Sequence, residues 1–403
     1  MKKVFWFSAC VPFDGVAHAS GKIENFYMKE LIKDKDIDLK VFSFYKPEEK
    51  EKLDFDKYGI ENYLYLRPRG GFINEFKRGI AWASKSSIFN KYAGFVPMDL
   101  RIGMKQLLKD AVDLNTDPDV IVLEWTEIVF FIHEIKKIWP NAKIISIEED
   151  VSYLGIQRRK EFSKLHLLKF FYGIKEKRVK EKEIDCLNKS DLVVFNNKKD
   201  FKLAQNDGYQ GNYFIWSVFY QIFKNSGKNN PDSKDLVYYG SMSREENWRS
   251  AVWFIENVLP KIDDPEVKLV IVGGNPNKHL FKYLSDRVII KGYVDDIGSE
   301  LCNSLCLVAP LVLGAGIKVK IIESLSLGIP ILTNKIGIEG IPAQDGISYF
   351  HCEEPNQYIE IINRLLNKEI DLEKIQAEAV KVIEENFNYF VDSKKFNNLI
   401  KEL

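Results

Sequence analysis

The sequence predicts an α/β protein built from two Rossmann-like domains facing a cleft. Three observations carry this. The chain has 403 residues, more than one hydrophobic core usually supports. Short apolar runs alternate with helical patterns in both halves, the signature of βαβ units. Between the halves lies the polar, Gly/Pro-bearing stretch Asn225-Ser226-Gly227-Lys228-Asn229-Asn230-Pro231-Asp232-Ser233, the best linker in the chain.

The first half offers strands at Val4–Ser8, Leu39–Ser43, Tyr63–Leu66, Val120–Leu123, Lys143–Ile147 and Leu192–Phe195. Helices are expected at Lys22–Lys33, Arg101–Leu114, Ile128–Ile138 and about 173–187. After the linker, strands are expected at Leu236–Tyr239, Lys268–Val272, Val288–Lys291, Leu305–Ala309 and Ile331–Thr333. The resulting domains are 1–222 and 234–385, joined by 223–233, with a helix over 386–403 free to pack back on the first domain. Gly240, Gly273, Gly292 and the turn at 313–323 each follow a predicted strand. That places them on one carboxyl edge, where such sheets bind ligands.

Composition narrows the function. Lysine plus arginine equal aspartate plus glutamate at 58 each, which argues against a general nucleic-acid binder. Cys10, Cys186, Cys302, Cys306 and Cys352 are scattered, and no second pair or nearby histidine completes a zinc pattern around Cys302 and Cys306. They read as reduced thiols in a cytosolic protein. Met1-Lys2-Lys3 and the apolar run to Cys10 imitate a signal peptide, but Pro12, Phe13 and Asp14 follow without a small-residue cleavage site. A buried first strand explains the run better. With no apolar stretch of membrane-spanning length, the expectation is a soluble or peripheral protein.

The most informative segment is Leu313-Gly314-Ala315-Gly316-Ile317-Lys318-Val319-Lys320-Ile321-Ile322-Glu323. A small-residue turn carrying two lysines runs into a helix holding one carboxylate. A helix N-terminus exposes unpaired N–H groups and a partial positive charge, which suits a diphosphate. Lys318 and Lys320 add cationic charge, and Glu323 is placed to accept hydrogen bonds from a ribose diol. The plainer alternative is a βα turn with two solvated lysines and a surface glutamate.

This segment resembles the donor-site signature of retaining family 4 glycosyltransferases with the GT-B fold. Tyr238-Tyr239-Gly240-Ser241-Met242, Asn247, Ala251-Val252-Trp253-Phe254 and Pro260 resemble the opening of that family's nucleotide domain. Val270-Ile271-Val272-Gly273-Gly274, Ile290-Lys291-Gly292-Tyr293-Val294-Asp295-Asp296 and Gly337-Ile338-Glu339-Gly340-Ile341 follow in order. In the first half the likeness is looser, resting on Val11-Pro12, Ser20-Gly21, Leu123-Glu124-Trp125 and Glu149-Asp150-Val151.

The resemblance implies transfer of a sugar from a nucleotide-diphosphate donor, with retention and without a metal or resident cofactor. It assigns donor contacts to Gly21, Gly240, Ser241, Arg244, Gly314, Gly316, Ile317, Lys318, Lys320 and Glu323. Backbone near Tyr293 and Val294 is expected to hold the base. Lys320 is the leading candidate to stabilise the leaving diphosphate. Ser241 and Glu246 stand where many relatives have arginine and lysine, and Ala315 where the wider family has a first glutamate. Glu149 occupies the place of a common histidine. It reads as a group holding a sugar hydroxyl, as an acceptor of the acceptor's proton, or as a polar strand end. Glu124 is a weaker candidate of the same kind. His18 reads either as a substrate contact or as a structural histidine.

Two basic-aromatic segments, Arg67–Tyr92 and Arg158–Arg178, suit an anionic membrane interface, or else are solvated amphipathic surface. The expected acceptor is therefore a glycan or lipid-linked sugar in surface polysaccharide synthesis, with the protein cytoplasmic and peripheral at the inner membrane face. The alternatives are a catalytically silent partner or scaffold of another transferase, and a sugar-nucleotide epimerase of the same fold.

Overall fold

The computed structural model describes residues 1–16, 19–67, 92, 95–223 and 229–403. They form two compact units, Met1–Phe219 with Tyr389–Leu403, and Tyr220–Asn388.

The first unit is built on a seven-stranded parallel sheet: β1 (Lys2–Ser8), β2 (Ile37–Tyr45), β3 (Glu61–Leu66), β4 (Val120–Glu124), β5 (Lys143–Glu148), β6 (Leu192–Phe195) and β7 (Tyr213–Ile215). Its order is β3-β2-β1-β4-β5-β6-β7. Parallel sheets are covered on both faces, which is why Val4 to Phe7 and Val120 to Leu123 read as unbroken apolar runs and are fully buried. Trp6 is in register with Val41 on one side and Val122 on the other. One face is held by stacked rings, Phe7 on Phe42 at 4.6 Å and Phe42 on Tyr63 at 5.0 Å. The last helix, Tyr389–Glu402, belongs to this unit. Asn397 Nδ2 donates to the Glu30 carbonyl at 3.2 Å, Lys401 pairs with Asp34 at 2.7 Å, and Phe396 lies against Trp216 at 4.1 Å.

The second unit has a six-stranded parallel sheet, β8 (Asp235–Tyr239), β9 (Lys268–Val272), β10 (Val288–Gly292), β11 (Cys306–Ala309), β12 (Ile331–Thr333) and β13 (Phe350–His351), ordered β10-β9-β8-β11-β12-β13. Strand order reverses beside β1 in the first sheet and beside β8 in the second. The crevice outside the carboxyl ends of strands at such a reversal is where doubly wound sheets take ligands.

The strands expected from sequence are all present, with ends that match or shift by at most two residues. Three departures have physical causes. The helix expected over 128–138 is two pieces, Thr126–Val129 and Ile132–Ile138; Ile128 to Ile132 are buried without interruption across the break, so no one-sided apolar stripe marks it. The helix expected from about 173 begins at His166, preceded by an unforeseen helix Ser152–Phe162. The strands β7 and β13, three and two residues long, are too short for a readable period.

Candidate active site

At the carboxyl edge of the second sheet three strand ends are tied together by backbone. Gly240 N–H donates to Val272 O at 3.1 Å and Gly273 N–H donates to Gly292 O at 2.6 Å. Gly273 has φ 150°, and a Cβ there would lie 1.8 Å from the Gly240 carbonyl oxygen. No side chain fits, so the ends of β8 and β9 close against each other as bare main chain. Gly240 shares that φ, and a Cβ on it would meet Asn247 Nδ2 at 2.9 Å and Lys320 Nζ at 3.0 Å. The missing side chain is therefore what lets an ammonium sit beside the strand end.

Lys320 lies in the first turn of the helix Val319–Ser326. Its Nζ donates to Asn247 Oδ1 at 2.7 Å and stands 4.8 Å from the centroid of the Tyr238 ring. Burial pulls its pKa down to about 7; Glu246 opposes this, while Lys318 and Arg244 add to it. Lys320 is thus poised between charged and neutral, and an anion beside it would favour the charged form. Lys318 occupies the N-cap position of this helix, but its side chain folds back on the turn rather than capping the helix. It donates to the Ala315 carbonyl at 3.1 Å and to that of Gly316, with Glu339 3.9 Å away. Its ammonium braces the glycine turn, in which Gly314 and Gly316 have φ 122° and 66°.

Glu323, one turn along the helix, is buried. One carboxylate oxygen accepts from the Tyr239 hydroxyl at 2.7 Å and the other from the Gln221 N–H at 3.4 Å. Tyr239 OH also reaches the Lys320 carbonyl at 3.1 Å. Around this core the remaining donor candidates are less engaged. Arg244 is exposed and paired with Glu246 at 2.5 Å. Ser241 Oγ lies 3.0 Å from Ser243 Oγ, and the Ser241 carbonyl accepts from Asn247 Nδ2 at 2.9 Å. Ile317 and Val294 are half-buried, and Tyr293 is 71% exposed. Asp296 is a helix cap, accepting from Ser299 N–H at 3.1 Å.

The structure therefore brings Gly240, Lys320 and Glu323 together with two groups that were landmarks rather than assigned site residues. Asn247 fixes the Lys320 ammonium, and Tyr239 holds Glu323. Their sequence signal was present: Tyr239 directly precedes Gly240, and Asn247 lies in the next helix, Glu245–Asn257.

In the first unit, Gly21 is buried in the opening turn of the helix Ala19–Leu31, and His18 lies outside the described residues. Glu149 follows β5, with one oxygen accepting from Asn196 Nδ2 at 2.9 Å. Behind it is a set of buried carboxyls. Glu24 accepts from Trp6 Nε1 at 3.0 Å and Ser8 Oγ at 2.8 Å. Among the described residues no protein donor reaches either oxygen of the fully buried Glu124, which faces Glu149. Such a group is satisfied only by carrying a proton and donating it. Burial first, then the charge on Glu149, drives the Glu124 pKa well up. Glu149 is itself raised to about 7 by burial, with the Glu124 hydrogen bond working the other way. Glu148 and Glu183 repeat the arrangement: burial raises Glu148 to about 8 and Glu183 well up, and Thr126 Oγ1 and Ser152 N–H donate to them at 2.8 and 2.9 Å.

Comparison with known proteins bears on the second unit and on the fold. Residues 233–368 match the family described as glycosyl transferases group 1. A Klebsiella pneumoniae relative, an uncharacterized 44.6 kDa protein in the cps region, is 22% identical over 417 aligned residues covering all of both chains. Among solved structures, sucrose-phosphate synthase from Thermosynechococcus elongatus superposes with a TM-score of 0.72 at 12% identity, covering 100% of this chain and 99% of that one. HepE from Anabaena, crystallised with UDP-glucose, gives 0.67 at 13% identity over all of both chains. S. aureus TarM gives 0.66 at 14% identity, with 99% of this chain covered and 100% of that one. Two doubly wound sheets, a glycine-edged lysine and carboxylate on the second, and a matching domain over the same residues lead to one identification: the chain is a glycosyltransferase of the GT-B fold, with a glycosyl transferases group 1 domain at residues 233–368.

Proposed function

We propose that this glycosyltransferase is retaining and metal-independent, and moves a sugar from a nucleotide-diphosphate donor to a glycan or lipid-linked acceptor in surface polysaccharide synthesis. The observation that carries the reading is the Lys320 ammonium, held against bare Gly240 at the start of a helix. There a diphosphate meets a cation and helix N–H groups at once. Glu323 would exchange its Tyr239 and Gln221 donors for ribose hydroxyls. HepE was crystallised with UDP and with UDP-glucose, and an Escherichia coli trehalose-6-phosphate protein with UDP-2-fluoro glucose, which favours a uridine donor here. The cps-region relative favours a polysaccharide product.

On this reading the bond from the anomeric carbon to the β-phosphate oxygen breaks with its electron pair going to phosphate. The acceptor oxygen bonds on the same face, and its proton passes to the departing phosphate. Lys320 takes up the growing charge, and Lys318 keeps the turn in shape. Glu149 is assigned to an acceptor hydroxyl. Among the described residues no helix is long and apolar enough to cross a membrane, which is compatible with action at the cytoplasmic face. Thermal shift against UDP, GDP and dTDP, then product analysis with nucleotide sugars, tests the reading. Stabilisation by a nucleoside diphosphate, an unchanged anomeric configuration and activity surviving chelators are expected. An inverted product, or loss of activity on chelation, would overturn it.

A further inference from the structure

The helices Ser152–Phe162 and His166–Leu187 form a hairpin with a sharply divided character. At its base Val179, Ile184, Cys186 and Leu187 are buried in the first core. Midway, Lys160 pairs with Glu176 at 2.7 Å and ties the two helices together. Beyond that tie every residue from Lys164 to Phe171 is exposed. The exposed set is apolar where solvent should favour polar groups: Leu165 63%, Leu167 67%, Phe170 64% and Phe171 50%, with Phe162 and Leu168 beside them. Scattered exposed leucines are ordinary, but six large apolar side chains gathered at one projecting tip are not.

Charge says what covers them. From Arg158 to Phe171 there are five cations, Arg158, Arg159, Lys160, Lys164 and Lys169, against the single carboxylate Glu161, in a chain whose formal net charge is zero. Lys164 and Lys169 are interleaved with the leucines and phenylalanines, so any surface that accepts the apolar groups must also accept positive charge within a few ångströms. A bilayer bearing anionic headgroups does both: rings and leucines enter the acyl boundary while ammonium groups stay among the phosphates. The exposed apolar segment is far shorter than the ~20 residues that span a bilayer. We propose that this hairpin tip docks the protein on an anionic lipid surface, with Leu165, Leu167, Phe170 and Phe171 entering the interface and Lys164 and Lys169 at the headgroups. The proposal gives the lipid-linked acceptor of the proposed function a place of encounter, but its test does not depend on transfer.

The full-length protein is sedimented with phosphatidylcholine vesicles, with and without phosphatidylglycerol, over a range of salt. Binding is expected only with phosphatidylglycerol and is expected to weaken as salt rises. Phe170→Ser with Phe171→Ser should weaken it at least about tenfold, and Lys164→Glu with Lys169→Glu should abolish the preference for anionic vesicles. Nucleotide-dependent thermal stabilisation, measured on the same variants, should stay at the wild-type value, which shows that the fold is intact. No sedimentation at low salt, or serine variants that bind like the wild type, would overturn the proposal. So would a concentration-dependent dimer abolished by the serine variants, since a second copy would then be what covers the tip. Loss of nucleotide stabilisation in the wild type, with vesicle binding retained, would instead count against the proposed donor site alone.

Discussion

Lys320 should make the empty protein less stable than it would be without the charge, and the size of that penalty can be worked from its surroundings. Burial lowers its pKa from 10.5 to about 7. Taken whole, such a shift corresponds to roughly 4–5 kcal/mol. Lys320 is half-buried and bonded to Asn247, so ~1–2 kcal/mol is the more sensible expectation. The sign follows from proton counting. Between pH 7 and 10.5 the unfolded chain holds a proton that the folded chain does not, so stability rises with pH through that window. Below about pH 7 both states are charged and the penalty is complete. Lys320→Met removes the group. Ligand-free melting at pH 6 should show the variant more stable, by about 2–4 °C per kcal/mol, and the difference should narrow at pH 9. The diphosphate should reverse the order, because the anion restores the charge and only the wild type can use it. Above neutral pH donor binding should therefore take up a proton, seen as a buffer-dependent binding enthalpy that is absent in Lys320→Arg. A variant no more stable than wild type at pH 6, or nucleotide binding without proton uptake, would refute the reasoning.

Three further outcomes are expected. Glu323→Ala should raise the donor KM by removing the ribose contacts, whereas Lys320→Ala should act mainly on kcat, costing on the order of 2.7–4 kcal/mol of transition-state stabilisation; steady-state kinetics that left both unchanged would contradict the donor assignment. Gly273→Ala places a methyl 1.8 Å from the Gly240 carbonyl at a φ foreign to alanine, and should cost at least about 2 kcal/mol in chemical denaturation; a neutral result would mean the strand ends are not locked. Glu24, Glu124, Glu148 and Glu183 have raised pKa values, so the folded first domain holds protons the unfolded chain has lost, and stability should fall as pH rises from about 4.5 towards 8. Glu124→Gln, which keeps a donor towards Glu149 without a titrating proton, should flatten that slope; an unchanged pH profile of the melting temperature would show that Glu124 is not the proton carrier.

The sheet architecture was legible because strands buried on both faces write themselves as unbroken apolar runs, and each ends at a residue that changes the backbone's direction. The donor-side glycines were legible for the same reason. What could not be read was how the side chains use that edge. Lys318 and Lys320 look equivalent in sequence, yet one is folded back on the Ala315 and Gly316 carbonyls and the other faces Gly240. Nothing local distinguishes them, since the difference is set by a helix that starts five residues after Gly240. The buried glutamates were hidden for a related reason. Glu24 and Glu183 lie on helices where a carboxylate ordinarily marks the solvated face, and only the partners brought by the fold show that they are inside. In the hairpin, Leu165 to Phe171 gave no stripe because, among the described residues, none packs over that exposed stretch.

The buried carboxyls also change what the molecule presents to the outside. A formal net charge of zero counts all 58 acidic side chains as ionised. Burial raises Glu24 and Glu148 to about 8 and pushes Glu124 and Glu183 well above the ordinary carboxyl range, while it pulls Lys320 down to about 7. The folded protein then carries a net positive charge, although its composition is balanced. Its isoelectric point in the native state should lie above the value of about 7.0 read from composition, and should drop on denaturation as the hidden acids ionise. Folding, by withdrawing anions from solvent, turns a neutral polypeptide into a weak cation.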